Sequence, residues 1–484
     1  MFNRLRLARI QWTYPDLAVY VGFLIFVLSL PFGHSTELLY GGLLLAMIGW
    51  LARIISERKF KWTRTPLDVP ITVFLLLALV SSLFAPHPSA SSLGYFWKLL
   101  RAVLLFYAVV HSRLGMRWRH VVLVFIFAGG FSSLLGLWYY ANGTHLGVDF
   151  LFRTESQFQS DLKVGKPIPA ELQQEFKNNG WRISQDAVVS TSKRNGAWLI
   201  IDKNRDWTYT VQEREDGLYI YVIEPRLAGT FKMPNDLGAY LVILVPMTMG
   251  YFVASWRTRQ KWWLITTLGF ILCVMAANLV LTLTRAAWMG VFVATLYTAI
   301  YFERRLLWVG LIVVLLSFVW MPKPVRDRFQ TMAKRPAGFM SERPQWWKAS
   351  IQFIAKHPIT GIGLGRFRHE YQLHAPPDVY HTPYHAHNIY LHIAAESGIP
   401  SLLLFMWMLF LFFRQIFALR RSNEFWRLGL FIGGSGFLIS ALVYGLADHI
   451  LHQRPLLIFW FLNGLVFYVT GGSNTSEPQT RPVI

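Results

Sequence analysis

The chain contains about twelve apolar runs of roughly 17 to 25 residues, and no other feature narrows its possible folds as far. They lie near 17–32, 38–55, 67–84, 97–111, 119–141, 234–255, 262–283, 286–302, 306–321, 387–413, 428–447 and 455–471. A helix of that length crosses about 30 Å of hydrocarbon with its backbone hydrogen bonds satisfied internally, which an open loop or sheet edge in lipid cannot do. The expected fold class is an all-α polytopic membrane protein. A composition of 54% hydrophobic, 16% aromatic and 15% charged residues, with mean hydropathy +0.36, excludes a soluble enzyme with one core.

The net charge of +21 would suggest a nucleic-acid partner in a soluble protein. Here the basic residues sit in short clusters between apolar runs, which points to loops facing anionic membrane lipid and to no nucleic acid. The clusters are Arg4, Arg6 and Arg9; Arg53, Arg58, Lys59, Lys61 and Arg64; Arg113, Arg117 and Arg119; Arg257, Arg259 and Lys261; Arg304 and Arg305; and Arg414, Arg420, Arg421 and Arg427. All fall on one side, expected to be cytoplasmic, whereas the loops Gly33–Glu37 and Ala85–Phe96 on the other side carry no Lys or Arg. An even number of spans puts both termini in the cytoplasm. The first run lacks a small-residue cleavage site and is expected to be a retained span. The single cysteine, Cys273, lies in an apolar run and allows no intrachain disulfide.

The expected organisation is spans 1–5 over residues 1–141, an external insertion over 142–226, spans 6–9 over 227–321, an external loop over 322–386, spans 10–12 over 387–472, and a cytoplasmic tail over 473–484. In the insertion, Ala197–Ile201, Trp207–Glu213 and Leu218–Ile223 alternate like strands and are separated by turn residues, which predicts a small β meander preceded by a helical part near Pro169–Asn179. In the second loop, Glu342–His357 reads as an amphipathic helix, with Trp346 and Trp347 expected along the membrane surface.

The stretch Tyr384–Phe405, YHAHNIYLHIAAESGIPSLLLF, is the expected functional centre. Asn388, His392 and Glu396 recur at i, i+4 and i+8 and predict a polar stripe on one helix face, just after His385 and His387. Ionisable groups at membrane depth are costly and line cavities or reaction sites. Basic residues on the outer side are scarce. Arg285 in LTLTRAAWMG and Arg226 in EPRLAGTFKMPND are therefore candidate clamps for a phosphate or pyrophosphate, with Lys232, Arg366 and Arg368 as weaker candidates. GIGLG at Gly361–Gly365 follows no strand and lacks the full dinucleotide-binding spacing, so it reads as a tight turn. The outer histidines lack an HExxH pattern, and neither a metal nor another cofactor is expected.

HAHNIYLHIAAESGIPSLLLF, preceded by HPITGIGLGRF and, further upstream, by LTLTRAAWMG and GTFKMPNDLGAYLVILVPM, resembles the O-antigen ligase and polymerase superfamily of bacterial envelope glycosyltransferases over roughly Arg226 to Phe405. Pro400 and Ser401 stand where the family often has a second glycine after the ExG pattern. The resemblance implies a GT-C-like helical fold and metal-independent glycan transfer from an undecaprenyl-pyrophosphate carrier at the periplasmic face of the inner membrane. The implied acceptor is lipid A-core. It implies His387 as the base, His385 as the second candidate, Arg285 with Arg226 as the pyrophosphate clamp, and Asn388, His392 and Glu396 as supporting residues. Three alternatives remain: a polymerase of the same superfamily, a relative that transfers glycan onto secreted protein, and a flippase for lipid-linked sugar.

Overall fold

The computed structural model describes residues 13–57, 60–84, 90–141, 152–154, 162–178, 183–194, 197–202, 207–214, 217–223, 226–308, 310, 343–374, 383–450 and 453–471. The bundle is built from α1 (Tyr14–Ser29), α2 (Thr36–Ser56), α3 (Asp68–Leu83), α4 (Ala90–Val110) and α5 (Trp118–Ala141), then α7 (Pro234–Arg257), α8 (Trp262–Leu281) and α9 (Arg285–Tyr301). Helices α12 (Ile389–Phe417), α13 (Phe425–Gly445) and α14 (Gln453–Gly471) complete it. Among the described residues 8 helices are long and apolar enough to cross a membrane, and α1 and α3 are shorter apolar helices. The protein is an all-α polytopic membrane protein. The expected ninth span, 306–321, falls largely outside the described residues, as does the tail; every other expected span is a helix.

Local sequence explains where the helices begin. Thr13 caps α1 and exchanges hydrogen bonds with Asp16 in a capping box, with Pro15 in the first turn. Packing then selects the centre. Helix α7 is buried along nearly its whole length, against α8, α9 and α13. Its contact with α13 relies on small residues: a Cβ on Gly250 would lie 2.1 Å from the backbone nitrogen of Gly433. With lipid as apolar as leucine, such close backbone approach is what holds membrane helices together. It also fixes the C-terminal end of α13, from which Asp448 follows.

Between α5 and α7 stands a five-stranded antiparallel sheet of order β1-β5-β4-β3-β2. Its strands are β1 (Phe152–Thr154), β2 (Val188–Arg194), β3 (Ala197–Asp202), β4 (Trp207–Arg214) and β5 (Gly217–Ile223). The expected meander is present, with β2 added at one edge and the short β1 paired to β5 at the other. Helix α6 (Ala170–Asn178) covers one face, where Leu172 and Phe176 pack with Ile200, Tyr209, Val211 and Ile220.

Two further helices precede α12: α10 (Arg343–Lys356) and α11 (Phe367–His374). Helix α10 coincides with the expected amphipathic helix. Trp346 is buried in a small core with Phe353, Ile362, Phe367 and Tyr371, because α10 packs against α12, and Trp347 is half-buried.

Candidate active site

The glycine turn and the kink of α12 interlock by an exchange of backbone hydrogen bonds. Gly398 has φ +83 and interrupts the helix, and Pro400 has no N–H to donate to the carbonyl of Glu396. That carbonyl instead accepts from Gly363 N–H at 3.0 Å and from Ser81 Oγ at 2.6 Å. Ile362 N–H donates to the carbonyl of Ala395, and Ile399 N–H to that of Pro358. The Glu396 carboxylate accepts from the N–H groups of Gly365 (2.8 Å) and Phe367 (3.1 Å). A Cβ on Gly398 would lie 1.9 Å from the Ile359 carbonyl oxygen, so only glycine fits where turn and kink meet. The departure at Pro400 from the family pattern is thus absorbed: the lost helix bond becomes the attachment of the GIGLG turn. Glu396 ties loop to helix, and His392 Nε2 lies 3.5 Å from its Oε2.

Asn388 is not part of a helix-face stripe with His392 and Glu396, as its spacing predicts. It is the extended N-cap of α12, its side chain accepting from Tyr390 and Leu391 N–H at 3.0 Å and donating to the Leu446 carbonyl. The cap stops the helix one residue after His387, which adopts φ +48, a left-handed conformation uncommon outside glycine. This turns the His387 ring onto Asp448, with Nδ1 2.9 Å from Oδ1. The Trp346 ring stacks on the imidazole at 4.8 Å between centroids and 28°. His385 Nε2 lies 3.5 Å from the same carboxylate oxygen, and the backbone N–H of His449 donates to it at 2.8 Å. The rings of His385, His387, His392 and His449 form one cluster with neighbouring centroids 4.2 to 5.1 Å apart.

Burial alone would raise the Asp448 carboxyl. The hydrogen bonds and charges of His385 and His387 outweigh it and hold the group well below the usual carboxylate range. An ionised carboxylate only accepts, so Nδ1 of His387 is the donor in this bond, and the neutral form of the ring has its lone pair on Nε2. Among the described residues no hydrogen-bond partner occupies that Nε2.

The arginines form the second half of the site. The irregular segment before α7 docks on the end of α8, with Leu227 N–H donating to the Leu281 carbonyl. Arg226 donates from Nε to the Thr282 carbonyl (2.9 Å) and from Nη2 to Asn235 Oδ1 (2.6 Å) and Thr284 Oγ1 (3.0 Å). The EPRLAGTFKMPND and LTLTRAAWMG motifs therefore meet through these side chains. Arg285 opens α9 and is half-buried, within reach of the charges of Arg226 and Arg343. Arg343 begins α10 one turn before Trp346, the residue stacked on His387. Arg366 is committed elsewhere, to His369 and Glu370 on α11, and Arg368 lies over the Tyr384 ring.

The sequence reading missed Asp448, His449, Arg343 and Trp346. The signal for Asp448 was present as an Asp-His pair at the outer end of the span 428–447, in a chain with only 26 acidic residues. His385, His387 and Asp448 have ligand atoms within 4.8 Å of one another and would supply two imidazoles and a carboxylate to a divalent cation.

The fold is that of a polytopic helical membrane protein, with a carboxylate-held imidazole just before α12. Residues 270–406 match the family model described as O-antigen ligase, which supports the O-antigen ligase superfamily. The matched stretch starts later than the expected Arg226, and Arg226 and Asp448 both lie outside it. No curated protein matches the chain.

Proposed function

We propose that the protein is a glycosyltransferase that moves a glycan from undecaprenyl pyrophosphate to a hydroxyl of lipid A-core at the periplasmic face of the bacterial inner membrane. The observation that carries this is the His387–Asp448 hydrogen bond, which leaves Nε2 open on a ring stacked on Trp346, one turn of α10 from Arg343, whose charge acts on Arg285. The acceptor hydroxyl gives its proton to His387 Nε2 while its oxygen bonds to the anomeric carbon. The bond from that carbon to the pyrophosphate oxygen breaks, inverting the configuration. Arg285, with Arg226 and Arg343, takes up the charge on the departing pyrophosphate. Asp448 sets the tautomer and stabilises the imidazolium, and Trp346 holds the ring plane. His385 is the second base candidate, at the longer 3.5 Å from Asp448. Asn388, His392 and Glu396 position the loop and helix. No metal is required in this scheme, and full activity in the presence of a strong chelator is the expected result.

In this reading the sheet and the loop before α12 are periplasmic, both termini are cytoplasmic, and the insertion occupies 142–226. Deleting the gene in its host and resolving envelope glycans on a gel tests the assignment. Accumulation of long glycan on the undecaprenyl carrier, with loss of the lipid A-core ladder, is expected. Single repeats left on the carrier would instead make the protein the polymerase, with the same site and a different acceptor.

A further inference from the structure

A second pair of cations lies on a different wall of the bundle. Lys98 and Arg101 are one turn apart on α4, within the span-length segment Ser92–Val110, where basic residues are costly. Lys98 is exposed, with Nζ 4.2 Å from the centroid of the Tyr95 ring. The Arg101 guanidinium stacks 4.3 Å over the Tyr40 ring and donates from Nη2 to the Tyr40 hydroxyl at 3.2 Å. Arg101 Nε is enclosed with no acceptor, and among the described residues neither cation has a carboxylate within 4.0 Å.

Arg101 lies midway along α4, but Tyr40 belongs to the second turn of α2, counted from Thr36 at the outer end. The guanidinium therefore reaches the outer boundary of the bundle, and Lys98, about 4.5 Å further along the helix, lies closer still to that surface. Leu93 and Trp97 continue the exposed face of α4 as an apolar surface suited to acyl chains. The position is also coupled to the active site. The Tyr95 ring lies against Gly365, where a Cβ would approach it to 2.2 Å, and the Gly365 N–H is one of the two that hold Glu396.

We propose that Lys98 and Arg101, with Tyr40 and Tyr95, form the docking site for a phosphate of the lipid acceptor, separate from the arginines that receive the donor pyrophosphate. Naming the acceptor rests on the transferase reading above. The physical argument is that transfer requires two lipid-anchored substrates to present their head groups at once. Arg285 stands on α9, packed against α7 and α13, whereas α4 packs against α14, α3 and α2, so the two cation groups open on different walls. An exposed ammonium one turn from a guanidinium whose partners are a tyrosine ring and its hydroxyl leaves its charge for a phosphate.

The test uses the full-length protein in phosphatidylcholine nanodiscs and fluorescent lipid A, with its phosphates intact or removed. Wild type is expected to bind the phosphorylated form about tenfold more tightly than the K98Q/R101Q double variant does. Dephosphorylated lipid A should bind both proteins equally weakly, and K98R/R101K should restore affinity. Unchanged affinity in the double variant overturns the proposal. So does displacement of lipid A by an equal amount of phosphatidylglycerol, which would make the pair a contact for annular anionic lipid. Phosphate-dependent binding without any transfer to lipid A would leave the site standing and remove the transferase reading, because binding is read without turnover.

Discussion

Two histidines at opposite ends of the bundle show what separates a structural imidazole from a reactive one. His111, just after α4, is buried among Trp50, Phe60 and Trp62. Its Nε2 accepts from Thr63 N–H at 3.1 Å, and its Nδ1 faces the Tyr107 carbonyl at 2.8 Å. Burial lowers it below the usual histidine range, so it is neutral, with both nitrogens committed to backbone. His387 has a carboxylate on one nitrogen and an open position on the other. The arginines differ in the same way. At the His111 end they are neutralised by acids: Arg53 lies 3.2 Å from Glu57 and 3.7 Å from Asp16, and Arg113 lies 2.8 Å from Glu57. At the sheet end, hydrogen bonds to neutral oxygens fix Arg226, and Arg454 donates to the carbonyls of Ser29, Leu30, Phe32 and Gly33. Such bonds orient a guanidinium through its fixed fork of donors.

The sharpest way to break this comparison is to truncate both histidines. His387→Ala is expected to slow transfer by about 10³-fold in a reconstituted assay, within the range of a lost general base, with the fold intact. His111→Ala should lower thermal stability in detergent and leave the rate per folded molecule unchanged. Equal rate losses would show that the partners of the two rings do not distinguish their roles.

Arg285→Lys probes the other half of the site. A point charge cannot reproduce the two-pronged contact to pyrophosphate, so a loss of roughly 10²-fold in kcat/KM is expected. Arg53→Lys, at the neutralised end, should change the rate by less than about twofold. A wild-type rate for Arg285→Lys would remove that residue from the clamp.

Gly398→Ala adds a Cβ 1.9 Å from a carbonyl oxygen at φ +83, so it should detach the glycine turn and cost about 1–3 kcal/mol. A lower melting temperature together with faster proteolysis within the turn would check this. The smallest effect concerns pH. Because Asp448 is held below its ordinary value, its contribution to stability is fully present above about pH 4 and is lost as pH falls through the depressed folded-state value. The stability advantage of wild type over Asp448→Asn should therefore be constant near neutrality and shrink in strong acid. An advantage that grew on acidification would contradict an ionised Asp448.

The spans, the meander and the amphipathic helix were legible because hydrophobic periodicity is a local property, set by whether a segment must face lipid or core. The motif residues were legible too: His387, Arg285 and Arg226 stand out as polar groups in apolar or outer-side surroundings. Tertiary structure decided their partners. Asp448 lies 61 residues from His387 in the chain and reaches it only because α13 is pinned to α7. Arg343 and Trp346 enter the site because α10 packs on α12. Asn388 left the expected stripe because a side chain that caps a helix cannot also line its face. The sequence determined by itself which segments enter the membrane and which side chains are too polar to be there without a reason. Only the packed bundle decided which of those polar groups meet, because that depends on how helices distant in the chain cross.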